Sequence, residues 1–172
     1  MVLQTPDLQV VQEFGIALLI GALVGLEREK RKTGTQVASF AGIRTFILVS
    51  EAGALSAWLS IQAQMPLIFA VALAGLCLHI AAAYVLEKRA DPASVGITTE
   101  LAGVVVFLLG AAVMFGQASI AIGLVVINTA LLALKGELHG VVQKLDRDDI
   151  YAGIKLLISS FIVLPLLPNE AI

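Results

Sequence analysis

The apolar residues of this chain lie in long runs that short polar segments separate. Six runs cover residues 8–26, 43–62, 66–86, 97–115, 118–134 and 154–167. A helix needs roughly 20 residues to cross the hydrocarbon core of a bilayer, which is about 30 Å thick. The pattern therefore predicts an all-α bundle of about six membrane-spanning helices, of which the sixth is short and contains Pro165.

The polar segments predict how these spans connect. Gly116 and Gln117 leave room only for a tight turn, so the fourth and fifth spans should form an antiparallel hairpin. Apolar residues within 138–145 repeat at helical spacing, which fits either a helix at the membrane interface or a solvated connector. Residues 146–149 have the composition of a helix cap and first turn.

Positive charges predict the orientation of the bundle. All 11 lysines and arginines lie in or beside the loops that join the first and second, third and fourth, and fifth and sixth runs. Such loops stay on the cytoplasmic side, so both termini should lie outside. With 59% hydrophobic and 14% charged residues, the chain has too few polar residues to cover a soluble domain. Acidic residues interleave with the basic ones, and we expect no nucleic-acid partner.

Glu51 is the acidic residue expected deepest in the membrane. It lies in the middle third of the second span, about 10 Å beyond Arg44 at ~1.5 Å per residue. The seven-residue separation places both on one helical face. A charge there costs about 2.5–3.5 kcal/mol on insertion scales. Glu51 could therefore take up a proton or cation during transport, or remain protonated and hydrogen-bonded to another helix.

Other charged residues lie near the ends of spans. Glu27 and Arg28 end the first span and Arg44 opens the second. At these positions they could be interfacial anchors whose long side chains reach the polar surface. Glu100 lies one turn into the fourth span, where a carboxylate complements the helix dipole.

Two patterns bear on helix packing. Asn128 is central in the fifth span, shares a face with Lys135, and is suited to an interhelical hydrogen bond. Ala17, Gly21 and Gly25 recur at every fourth position of the first span. Such a strip of small residues lets another helix approach closely, and that helix could belong to the same chain or to a dimer partner.

Enzyme motifs are missing from the sequence. It contains no HExxH, no GxSxG, no P-loop and no GxGxxG, so we expect no enzymatic activity and no cofactor. His79 has no second ligand at suitable spacing and does not by itself define a metal site. We therefore expect no bound metal.

The first hairpin carries two linked motifs. GALVGLERE at residues 21–29 is followed by GIRTF at residues 42–46. This pair resembles the signature of the MgtC/SapB family of bacterial inner-membrane proteins, and the resemblance covers residues 1–90. Residues 91–172 look like the start of an uncharacterised membrane domain that follows the MgtC-like half in longer members. Glu27, Arg28 and Arg44 match polar positions of the signature, so the resemblance implies a functional role for them.

The resemblance implies two classes of function. The first is an inner-membrane transporter or channel for a small ion, magnesium or a proton-coupled solute, with Glu51, Asn128 and Glu100 along its path. The signature residues would form its cytoplasmic gate. The alternative is a non-transporting regulator that docks through the small-residue strip on another membrane protein, such as an ion pump or the ATP synthase. We expect a multi-pass protein of the lipid bilayer that forms a homo-oligomer, with a dimer favoured. The sequence could be either a natural short form or part of a longer chain.

Overall fold

The structure is a computed structural model and describes residues 8–32, 42–90, 97–134, 140 and 146–164. In these ranges the chain forms helices and no β-strand, which confirms the all-α prediction. The bounds of the second to fifth helices lie within a few residues of the predicted spans. The helices are α1 (Leu8–Lys32), α2 (Ile43–Gln62), α3 (Leu67–Ala90), α4 (Thr98–Met114), α5 (Ala118–Ala133) and α6 (Arg147–Ile158), which continues into a π-helical turn (Ser159–Val163).

The chain divides into two compact units, Met1–Ala133 and Leu134–Ile172. In the first unit α1, α2 and α4 pack against one another, α3 lies against α2 and α4, and α5 lies against α1 and α4. Helices on both sides of residue 90 therefore share one core. The predicted halves, 1–90 and 91–172, stay a prediction about sequence relationship and do not describe how the helices pack.

The small residues of α1 lie directly against α2 of the same chain. A Cβ on Gly21 would lie 2.7 Å from the Cα of Ile47, and one on Gly25 would lie 2.6 Å from the first Cα of α2. The backbone carbonyl of Ala17 accepts a 2.6 Å hydrogen bond from the buried Ser50 hydroxyl. The helix that covers this strip is therefore α2, and the strip is not an open surface.

The contact between α2 and α4 is closer still. A Cβ on Gly53 of α2 would overlap the carbonyl oxygen of Phe107, and one on Gly110 of α4 would overlap the carbonyl oxygen of Ser50. The two glycines therefore leave the helix backbones in direct contact, as in helix pairs that use small residues at their interface. Around this crossing, apolar residues of α1, α2, α4 and α5 form a common core: Ile20, Val24, Phe46, Val106, Leu109, Val113 and Val125.

The turn between α4 and α5 is the tight one that the sequence predicts. Gly116 adopts a φ of +78°, in the left-handed region that glycine enters without a steric penalty. The N–H groups of Gly116 and Gln117 donate to the carbonyls of Val113 and Ala112 at 3.0 and 2.9 Å. This Schellman motif ends α4 and reverses the chain, so that α4 and α5 form an antiparallel hairpin.

Two described helices are long and apolar enough to cross a membrane, over Leu8–Lys30 and Leu67–Leu86. Thr98–Met114 and Ala118–Ala133 are shorter apolar helices. Large apolar side chains face outward, among them Leu48 at 69% exposure and Leu78 at 73%. Soluble monomers rarely expose apolar surface on this scale. The count of six spans and the orientation from the basic loops stay predictions.

In the second unit, α6 begins at the predicted cap. The Asp146 side chain accepts a hydrogen bond from the Asp149 N–H, and Asp149 Oδ2 accepts one of 3.2 Å from the Asp146 N–H. These reciprocal bonds form a capping box, and Asp146 Oδ1 also accepts a 2.7 Å bond from the Arg147 N–H. The predicted interface helix over 138–145 lies outside the described residues except for Gly140, and so does the predicted end of the sixth span beyond residue 164.

Candidate functional site

Charged residues at the end of α1 connect to the beginnings of α2 and α4. We call Glu27, Arg28 and Glu29 the terminal cluster. Arg28 is only 7% exposed, and its Nε lies 3.5 Å from Glu27 Oε2. Arg28 Nη2 also donates to the carbonyl of Thr98 at 3.5 Å. Because Thr98 is the first residue of α4, Arg28 links α1 to α4.

Glu29 connects the terminal cluster to α2. Its Oε2 accepts a 3.2 Å hydrogen bond from the N–H of Ile43, the first residue of α2. Gly42 precedes α2 and has no side chain to cap the helix, so α1 supplies the missing acceptor. Glu29 is the last residue of the GALVGLERE motif, and the sequence alone predicts no separate role for it. This hydrogen bond joins the two sequence motifs across the first loop. It therefore gives a physical reason why the two motifs occur together.

Removing this cap should loosen the start of α2. We expect Glu29→Ala to lower the free energy of unfolding by about 1 kcal/mol, the usual cost of losing a helix cap. Glu29→Gln is the matched control, because its amide oxygen can still accept the hydrogen bond from Ile43. Reversible unfolding of the purified protein in detergent measures both. An equal loss in the two variants would show that the charge of Glu29, and not the hydrogen bond, stabilises this helix end.

Arg44 and Glu51 lie on α2 outside the terminal cluster. Arg44 is exposed. Glu51 is partly buried, and its Oε1 is shielded from solvent and accepts no hydrogen bond from the described residues. Glu51 shares a helical face with Trp58, seven residues on. The Trp58 ring contacts Phe14 of α1 edge to face, with centroids 6.5 Å apart, so Glu51 lies on the α1 side of α2.

Glu100 lines a cavity of about 280 Å³ between α2, α3 and α4, which we call the Glu100 cavity. Its polar residues are Thr45, His79, Thr99 and Glu100, and the remaining wall is apolar. Glu100 Oε2 is shielded from solvent and accepts no hydrogen bond from the described residues. His79 on α3 lines the cavity and is itself exposed, so the cavity opens at α3. A carboxylate oxygen in this position can bind a proton or a cation.

Asn128 belongs to a different cavity, of about 200 Å³, between α1, α4 and α5. That cavity contacts α4 through Leu101 and Val105, whereas the Glu100 cavity contacts it through Gly103 and Phe107. Helix α4 therefore separates the two. The structure places the predicted polar residues Glu51, Glu100 and Asn128 in three separate surroundings, and Lys135 lies outside the described residues.

Outward-facing apolar side chains and two helices long enough to cross a bilayer are features of a helical membrane protein. The chain belongs to the MgtC family, whose model matches residues 14–141. The match includes the terminal cluster and both cavities, and it extends beyond the resemblance over residues 1–90 to cover α4 and α5. Membership places the chain among membrane-associated proteins linked to magnesium homeostasis. No curated protein and no solved structure matches the chain significantly.

Proposed function

We propose that this protein is a multi-pass transporter of the bacterial inner membrane for a small cation, and that the Glu100 cavity holds the cation during transport. The observation that carries this proposal is the Glu100 carboxylate: Glu100 lines the cavity, and its shielded Oε2 accepts no hydrogen bond from the described residues. Ionisable residues are costly within a membrane and mark ion or substrate pathways. A cation in the cavity would pair with the Glu100 carboxylate.

The cavity and the terminal cluster lie at the same end of the helices. Thr45 is near the start of α2, and Thr99 and Glu100 are in the first turn of α4. The terminal cluster bonds to the first residues of those same two helices, Ile43 and Thr98. A movement of α4 away from α1 would break the bond between Arg28 and Thr98. We therefore propose that the terminal cluster is the gate beside the cavity, with Arg44 and Glu51 outside the path.

The surroundings of Glu100 favour a cation of single charge over a magnesium ion. Magnesium demands octahedral oxygen coordination and is usually held by one or two carboxylates together with water or phosphate. Among the described residues no group of three or more His, Cys, Asp or Glu side chains could hold a metal ion. A single carboxylate in a largely apolar cavity matches one positive charge better.

Flux into proteoliposomes tests the transport proposal. Purified protein should move at least one species from a panel of protons, magnesium, sodium, potassium and small organic cations, at a rate above that of protein-free liposomes. Gel filtration and circular dichroism of the same preparation establish that it is folded. Rates equal to the protein-free control for every species, with folded protein, would contradict the proposal.

A regulator of another membrane protein is the second candidate, and α3 favours it. None of the described side chains of α3 is fully buried, although the helix is apolar over Leu67–Leu86. Because α2 covers the strip of Ala17, Gly21 and Gly25, docking would use α3 instead.

A photocrosslinker at exposed Leu78 should then capture one defined membrane protein that the same crosslinker at exposed Leu19 of α1 does not. Capture of a second copy of this chain would instead support the predicted homodimer.

A further inference from the structure

The Glu100 cavity has a polar end and an apolar end. Thr45, Thr99 and Glu100 lie in the first turns of α2 and α4. Ala52 and Phe107, which also line the cavity, lie seven residues further along these helices. Seven residues correspond to about 10 Å along a helix axis. A ligand that fills the cavity therefore meets a carboxylate and two hydroxyls at one end and, apart from the His79 ring on α3, hydrocarbon along the rest of its length.

The polar end has the acceptors that an ammonium group needs. A primary ammonium carries three N–H donors and no acceptor. Glu100 contributes its carboxylate, and the hydroxyls of Thr45 and Thr99 can each accept a hydrogen bond. The carboxylate also balances the positive charge, and a charge removed from water requires such pairing.

The apolar wall selects for a hydrocarbon body attached to that charge. Leu48, Leu76 and Phe107 line the cavity beyond its polar end, and each methylene buried against them leaves water favourably. A hydrated metal ion would gain nothing from this wall. The exposed position of His79 on α3 places the cavity opening on the outward, apolar side of the bundle, where an amphipathic molecule dissolved in the bilayer can enter.

We infer that the Glu100 cavity takes an amphipathic alkylammonium ion, with its ammonium group at Glu100 and its alkyl chain along α2 and α3. This inference rests on the proposed transport function, because it names the class of cation that the same cavity would carry. It assigns recognition of the charge to Glu100, Thr45 and Thr99 and recognition of the chain to the apolar wall.

Equilibrium binding of radiolabelled hexylamine to the full chain in detergent tests the inference. We expect saturable binding that neither hexanol, which lacks the charge, nor hexanoate, which reverses it, displaces at equal concentration. Glu100→Gln should bind hexylamine about tenfold or more weakly, which corresponds to at least ~1.4 kcal/mol. Glu13→Gln is the matched control, since Glu13 lies near the start of α1, hydrogen-bonded to Gln9 and outside the cavity; its affinity should stay within about twofold of wild type.

Two further variants keep the test valid if Glu100→Gln does not fold. Ala72→Phe on α3 places a ring in the apolar part of the cavity, and Thr99→Val removes one hydroxyl at the polar end. Both should weaken hexylamine binding, and Thr99→Val should leave the weak binding of hexanol unchanged. Equal hexylamine affinity in wild type, Glu100→Gln and Ala72→Phe would overturn the inference, and so would displacement by hexanol as effective as by unlabelled hexylamine.

Flux measurements, compared with hexylamine binding, distinguish failure of this inference from failure of the transport proposal. Transport of a metal ion or protons without saturable hexylamine binding would overturn the alkylammonium assignment and leave transport standing. Saturable hexylamine binding that depends on Glu100, without flux of any species, would support the assignment of the cavity and contradict transport.

Discussion

Gly53→Ala and Gly110→Ala should each destabilise the protein severely, by about 3 kcal/mol, at the upper end of the usual cost of overpacking a core. The new methyl group at residue 53 would overlap the carbonyl oxygen of Phe107, and the one at residue 110 would overlap the carbonyl oxygen of Ser50. Both opposing atoms belong to helix backbones. They cannot rotate away as a flexible side chain can, so α2 and α4 would have to separate.

Two other glycines provide matched controls for this prediction. A Cβ on Gly75 of α3 or on Gly123 of α5 would meet no atom within 4 Å. Alanine favours a helix over glycine by up to about 1 kcal/mol, so Gly75→Ala and Gly123→Ala should be neutral or slightly stabilising. Reversible unfolding in detergent compares all four variants. Equal stability of the Gly53 and Gly75 variants would contradict the close crossing of α2 and α4.

The sequence predicts the helices well because the apolar runs are a local signal. Each apolar run can be recognised from consecutive residues alone. The predicted second span, 43–62, for example, coincides with α2 (Ile43–Gln62). The packing of α4 on α2 could not be predicted in the same way. Gly53 and Gly110 contact backbone across two helices that are distant in sequence. Only the fold shows that they face each other.

The candidate site was predicted in part for a related reason. The sequence shows how far along a predicted span a residue lies. By that criterion Glu51, near the middle of its span, was the strongest candidate. The direction in which a side chain points depends on which helices surround it. Glu51 lies on the α1 side of α2, away from the two cavities, whereas Glu100, interpreted from sequence as complementing a helix dipole, lines one of them. The motif located Glu27 and Arg28, but the bonds from Arg28 to Thr98 and from Glu29 to Ile43 require the folded hairpin and α4.

Glu100→Gln should reduce cation flux about tenfold or more, the effect of losing ~1.4 kcal/mol or more of interaction with the cation. Glutamine keeps the size and hydrogen-bonding oxygen of the side chain but removes the negative charge. Glu100 lines the cavity, so its negative charge lies beside the proposed path. Glu51→Gln makes the same chemical change on the same bundle at a residue that lines neither cavity.

The flux rates of wild type, Glu100→Gln and Glu51→Gln, reconstituted side by side at equal protein content, are the most direct test of the Glu100 cavity as the cation path. Flux of the transported cation should fall about tenfold or more in Glu100→Gln and stay at the wild-type level in Glu51→Gln. Undiminished flux in folded Glu100→Gln, or a loss in Glu51→Gln alone, would contradict it and place the path on the other side of α2.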